Sequence, residues 1–260
     1  MLKHVLLSAL CFVVFSIEGR TLKIASDDWC PYICDNQEKP GYVVEIIKRV
    51  MAKHHINVQF EVMPLGRAFV EVENNRLDMV LALTEVHIKE HALIASDVVI
   101  GDYANDFFVL SDNPFRFKNI DQLKNERLGV IESYEYGAYL DAFIRLHPEQ
   151  IHIAHGRAPL QQNINMLLKG RLSVVLDTKN TVQFFLHQQG ISNVLYAGTQ
   201  GRTAPLYIGF NPQLTDLTVL QQYLSNGLDE LRTTGQLKQM LQGYGISDWQ
   251  LAEPVTLQAP

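Results

Sequence analysis

Arg76 to Asp97 reads RLDMVLALTEVHIKEHALIASD, and its middle decides the fold class. Met79 to Leu83 is an unbroken apolar run of strand length, the pattern of a parallel strand covered on both faces. The run stops abruptly at Thr84 and Glu85, with His87, Lys89, Glu90 and His91 crowding in behind. In open α/β sheets ligands sit at that end of a strand, because the loops there are free of the packing that occupies the rest. A plain strand followed by a solvated helix start would have the same residues.

Working outward, the pattern repeats. Thr21 to Ala25 (TLKIA) is a short β-like run ending in Ser26, Asp27, Asp28 and Trp29. From Gly41 a helical pattern places Val44, Ile47, Val50 and Met51 on one face. Ile56 to Val62 (INVQFEV) alternates as a strand, and Pro64 to Arg67 turns into a helix with Ala68, Val72 and Leu77 inward. This is β-α-β-α-β order, the plan of a doubly wound sheet. After the strand Asn105 to Leu110 and a turn cluster, a short helical turn at Asp121 to Lys124 leads to a second such round. It comprises RLGVI at Arg127 to Ile131, a helix over Tyr134 to Leu146 with Tyr139, Ala142 and Phe143 inward, and QIHIA at Gln150 to Ala154. A helix over Pro159 to Lys169 with Ile164, Leu167 and Leu168 inward then leads to LSVVL at Leu172 to Leu176, which ends in Asp177, and to a helix over Thr181 to Gln189. A Gly/Pro-punctuated crossing feeds a strand at Leu206 to Phe210, followed by a helix over Leu217 to Arg232 and a short one over Leu237 to Leu241. The expected architecture is α/β: two doubly wound lobes joined by two crossover strands, with residues 20–110 and 200–251 in one lobe and 111–199 in the other. Such lobes enclose a cleft suited to hinge closure.

The chain of 260 residues, 47% hydrophobic, is long enough for two lobes with real cores. A net charge of -6 without a Lys/Arg cluster excludes a nucleic-acid footprint, so a small solute is the natural partner. Lys3 and His4 precede an apolar run from Val5 to Ile17 and then Glu18, Gly19 and Arg20, the layout of a secretory signal peptide over residues 1–19. The run is too short to span a bilayer comfortably. Export to the periplasm follows as an expectation, and a fraying tail is expected over 252–260. Cys30 and Cys34, in WCPYIC, can be bridged in an oxidising compartment if the loop turns tightly enough, which would mainly fix the loop's shape. Two cysteines alone fall short of a metal set. His54, His55, His87 and His91 read as solvated helix positions, and neither a metal nor a cofactor is expected.

Six stretches together resemble the bacterial extracellular solute-binding proteins of family 3, the periplasmic proteins that serve amino-acid ABC transporters. They are DDWCPY at Asp27 to Tyr32, GYVVEIIKRV from Gly41, NNRLDMVLALT at Asn74 to Thr84, RLGVIESYEYGAYLD at Arg127 to Asp141, LLKGRLSVVLD at Leu167 to Asp177, and LDELRTTGQLKQMLQGYGISDW at Leu228 to Trp249. The resemblance implies a periplasmic-binding-protein-like (type II) fold and a non-catalytic binding role. It places Asp28 and Trp29 in the loop where an aromatic side chain stacks on the ligand, and Thr84 where the family has a hydroxyl. Five residues later the family has an Arg that grips an α-carboxylate in bidentate fashion, but this chain has Lys89, a point charge without the fork. Arg67 in PLGRA could supply the guanidinium. Tyr134 and Glu135 stand at the second lobe's ligand turn, and Asp177 matches the carboxylate for a ligand amine. Trp29, Glu135 and Asp177 suit a cationic amine while Lys89 and Arg67 suit an anion, and the sequence does not rank them. The resemblance also implies a monomer that meets a membrane permease or a sensor protein. Two alternatives stand beside it: a periplasmic enzyme similar to cyclohexadienyl dehydratase, with Glu135 and Asp177 as acid and base, and a partner-binding module whose cleft is vestigial.

Overall fold

A computed structural model describes residues 20–250, apart from the side chain of Arg202. The expected signal peptide and tail therefore lie outside the described residues. Thr21–Ser26 (β1) pairs in parallel with Asn57–Val62 (β2), and the helix Tyr42–Ala52 (α1) makes the crossover between them. The helix Leu65–Glu73 (α2) then leads to Met79–Leu83 (β3), which is buried at every position and lies parallel to β1. Cores on both faces explain its unbroken apolar run: α1 covers one side, and α2 with Glu85–Glu90 (α3) covers the other. Ile94–Ala95 (β4) completes this edge.

Gly101–Leu110 (β5) carries the chain out of the first lobe. In the second, Leu128–Ile131 (β6), Ile151–Ala154 (β7) and Val174–Asp177 (β8) alternate with the helices Ala138–Leu146 (α4), Pro159–Leu168 (α5) and Lys179–Gln189 (α6). Val194–Phe210 (β9) returns as one strand of 17 residues, far longer than the Leu206 to Phe210 segment expected, because it pairs antiparallel with β5 along almost its whole length. The two form a ribbon crossing between the lobes, from Gly101↔Leu206 to Leu110↔Val194, and its register slips between Tyr103 and Asn105. The ribbon makes the hydrogen-bonded path continuous, in the order β2-β1-β3-β9-β5-β8-β6-β7, while each lobe keeps its own pair of cores. Leu217–Thr233 (α7) and Gln236–Gly243 (α8) pack back on α1. The α7 stripe Leu220, Leu224, Leu228 and Leu231 is at most 2% exposed, and truncating any one to Ala costs roughly 2–5 kcal/mol.

Two helical expectations need correction. α4 begins at Ala138, after Gly137 at φ +84°, rather than at Tyr134. The later start rotates the helix, so Leu140 and Phe143 face the core and Tyr139 is 79% exposed. Leu168 is likewise partly in solvent, at the last residue of α5. Among the described residues no helix is long and apolar enough to cross a membrane.

Candidate functional site

The loop after β1 supplies one jaw. Cys30 and Cys34 are bridged, with Cα atoms 4.6 Å apart, and the loop packs directly under the start of α1. Gly41 makes that approach possible: at φ +96° its missing Cβ would lie 2.3 Å from the Tyr32 carbonyl oxygen. Because successive side chains of extended backbone point to opposite sides, Asp27 and not Asp28 enters the central cavity. Asp28 turns to the disulfide loop, where it accepts the Asp35 N–H at 3.1 Å. Trp29 stacks on Tyr32 at 4.5 Å, and its Nε1 donates to Asp177 Oδ1, from the other lobe, at 2.9 Å.

The second jaw is the loop from Ser133 to Tyr136. Tyr134 packs against all four cores, and its hydroxyl donates to Asp27 Oδ2 at 2.6 Å. Ser133, held at φ +64°, approaches Gly66 so closely that a Cβ there would lie 2.8 Å from Ser133 Oγ. At the end of β3, Ala82 sits at φ +56° and the pairing with β9 slips, which re-aims Thr84 into the cavity. Thr84 caps α3, its Oγ1 accepting the His87 N–H at 3.2 Å. The His87 ring turns back toward the Thr84 N–H, 3.5 Å away, so it is buried rather than solvated as the sequence had implied. Its Nε2 lies 3.1 Å from the Ser133 carbonyl, which can only accept, so the proton sits on Nε2. Burial lowers His87 to about 4 and keeps it neutral.

Asp27, Trp29, Thr84, Tyr134, Glu135 and Asp177 line one cavity of about 30 Å³, room for about two water molecules. A larger guest requires the lobes to part. Burial pushes Asp27 up to about 6 against the lowering effect of the Tyr134 bond, and pushes Asp177 up to about 7 despite bonds from Trp29 and its own neighbour's N–H at Thr178. The Asp177 Oδ2 atom is buried without a partner. Glu135 is raised by burial and by Asp141, and accepts the Tyr103 hydroxyl at 3.3 Å. The cavity lining holds three acids and no Lys or Arg.

A family model for bacterial extracellular solute-binding proteins, family 3, matches residues 22–247. The chain belongs to this family. Among solved structures it is similar to a putative L-cystine ABC transporter protein from Listeria monocytogenes, with TM-score 0.71 and 16% identity over 86% of this chain and 95% of that one. An ancestral arginine-binding protein bound to arginine gives TM-score 0.70 and 15% identity over 87% and 98%. A histidine kinase sensor domain with similarity to periplasmic binding proteins gives 0.68 and 15% over 87% and 96%. Identities this low speak to the two-lobed α/β fold. No curated protein matches the sequence.

In this family 3 chain the two cations expected at the site lie outside it. Lys89 is 78% exposed and lies 3.8 Å from Glu85, because the short α3 buries His87 and Ile88 and turns Lys89 outward. Arg67 is 64% exposed beside Glu71 and lines a separate chamber of about 270 Å³ that shares Asp27 and Leu65 with the central cavity. Neither cation enters the central cavity. Asp27, His87 and Tyr103 enter it without having been singled out. His87 left one trace in the sequence, the Thr84-x-x-His87 spacing of a reciprocal helix cap. Tyr103 left none.

Proposed function

We propose that the chain traps a small cationic solute, an amine or a related compound, between its lobes after export, and presents the closed complex to a membrane transporter or sensor. Asp177 carries the reading. It is 4% exposed, accepts the Trp29 N–H with one oxygen and has no donor for the other. A buried carboxylate oxygen without a donor is costly, and an ammonium placed against Oδ2 would satisfy it. Asp27 adds a second acid, and the lining offers no cation to an α-carboxylate. A solute touching both lobes stabilises only their closed arrangement, so its binding shifts the population toward closure.

The test is a thermal-shift panel of amines, amino acids and small dicarboxylic acids. At a hundredfold excess over Kd a true ligand adds about 2.7 kcal/mol of stability. Amines should raise the midpoint and dicarboxylates should not; a flat response to all three groups would sink the reading. The enzymatic alternative would use Glu135 and Asp177 as acid and base, Glu135 raised by burial and Asp177 pushed up to about 7. Against it, a prephenate-like dianion would face Asp27, Glu135 and Asp177 with no balancing cation. Turnover of prephenate, abolished by Glu135→Gln, would reverse that ranking.

A further inference from the structure

We infer that the solute selected by this cleft carries two cationic groups and no carboxylate: an α,ω-diamine, one ammonium at Asp177 and the other at Glu135, its hydrocarbon stem against the aromatic wall. The inference rests on the cationic-solute reading above and names its chemical class.

The acids of the cavity have different ring partners: Asp177 and Asp27, at one pole, are bonded to Trp29 and Tyr134, and Glu135, at the other, to Tyr103. Asp177 feels the neighbouring carboxylates of Asp27 and Asp106. Glu135 instead feels Asp141 and, from the opposite lobe, Glu90 on α3. Each pole thus draws acids from both lobes, as a site completed by closure does. Between the poles stand Trp29, Tyr103 and Tyr134. The two tyrosine rings lie 6.4 and 5.9 Å from the indole and are inclined to it by 65° and 70°, an edge-to-face packing that a hydrocarbon stem enters only when the lobes part.

Each of these rings donates to a different acid. Trp29 donates to Asp177 at 2.9 Å, Tyr134 to Asp27 at 2.6 Å and Tyr103 to Glu135 at 3.3 Å. The polar edges of the rings are therefore tied to the acids, and the ring surfaces uncovered when the lobes part can take methylene groups, while one indole face stays on Tyr32. The unpartnered Asp177 Oδ2 marks where a donor is missing at the first pole. A monoamine would supply that donor and leave Glu135 with Tyr103 alone. An ω-amino acid would set its carboxylate against Glu135, Glu90 and Asp141, a like-charge contact with no compensating cation.

The test is calorimetric titration of the full chain with diaminoalkanes from propane to hexane, the monoamines of equal length and the matching ω-amino acids. The best diamine should bind at least about tenfold more tightly than its monoamine, with the ω-amino acid weakest. In Glu135→Gln the diamine-to-monoamine ratio should fall toward one. Equal affinities for diamine and monoamine in the unaltered chain overturn the two-pole inference while the cationic-solute reading stands. A ratio that survives Glu135→Gln overturns it as well, since the second ammonium then lies elsewhere. Binding of ω-amino acids or α-amino acids with no response to either amine removes the inference and the reading together. The comparison in the unaltered chain decides the matter even if the variant fails to fold.

Discussion

Asp27 and Asp177 reach one cavity from opposite lobes, yet they are held differently. Asp27 has donors or close hydroxyls at both oxygens, Ser26 Oγ at 3.4 Å and Tyr134 at 2.6 Å, and is pushed up to about 6. Asp177 has two donors crowded on Oδ1, none on Oδ2, and is pushed up to about 7. Both are buried to nearly the same degree, so burial alone does not distinguish them. What differs is where the donors fall: both acids join the lobes, but Asp177 keeps one oxygen free for a guest while both oxygens of Asp27 have a hydroxyl close by.

The largest expected effect is therefore at Asp177. Asp177→Asn should weaken the preferred amine about a hundredfold or more, the scale of removing one partner from a buried ion pair, as read by calorimetry. A loss of threefold or less would erase the distinction between the acids. Next comes pH. A cation needs ionised carboxylates, so its affinity should fall by more than about tenfold between pH 8 and pH 5, with proton release on binding at the lower end. For the chain without ligand the sign is opposite. Both acids sit above their ordinary 3.8, so the folded chain keeps protons that the unfolded chain has released between about pH 4 and 7. Its stability should fall as the pH rises through that window, and a thermal midpoint that rises instead would contradict the burial of these groups.

Asp27→Asn should cost about tenfold in amine affinity, less than the change at Asp177, because Asp27 already shares its charge with Tyr134. Tyr134→Phe removes that donor and should lower stability by about 1 kcal/mol in denaturant titration, while pushing Asp27 higher still. Lys89→Ala should be the smallest change, within about 0.5 kcal/mol in stability and with unaltered affinity, since its side chain lies in solvent beside Glu85. A tenfold loss for an α-amino acid in that variant would make Lys89 a carboxylate grip and shift weight away from both acids.

Much of the fold was legible because strand and helix periodicities are local. Met79 to Leu83 lacks alternation because both of its faces are covered, and the two β-α-β-α-β rounds follow from patterns within a dozen residues. The phase of α4 was misread because the turn through Gly137 delays its start, leaving Tyr139 in solvent. The full length of β9 was hidden because its partner β5 lies some ninety residues upstream. In the site, Trp29, Thr84, Tyr134, Glu135 and Asp177 were legible as positions. Asp27 was confused with Asp28 because two adjacent acids on extended chain differ only in which side they face. Lys89 and Arg67 were candidates from the resemblance, and helix phase turned them outward.

By itself, then, the sequence determined the two lobes, the pair of crossing strands and the family, because apolar spacing along the chain dictates which faces must be buried. Only the tertiary structure decided which acids meet which rings. Trp29 and Asp177 are 148 positions apart, and their contact depends on the angle at which the β5–β9 ribbon brings the lobes together. The proton affinities of Asp27 and Asp177 follow from that meeting, since a carboxyl group's environment is made by neighbours that its own stretch of chain does not contain.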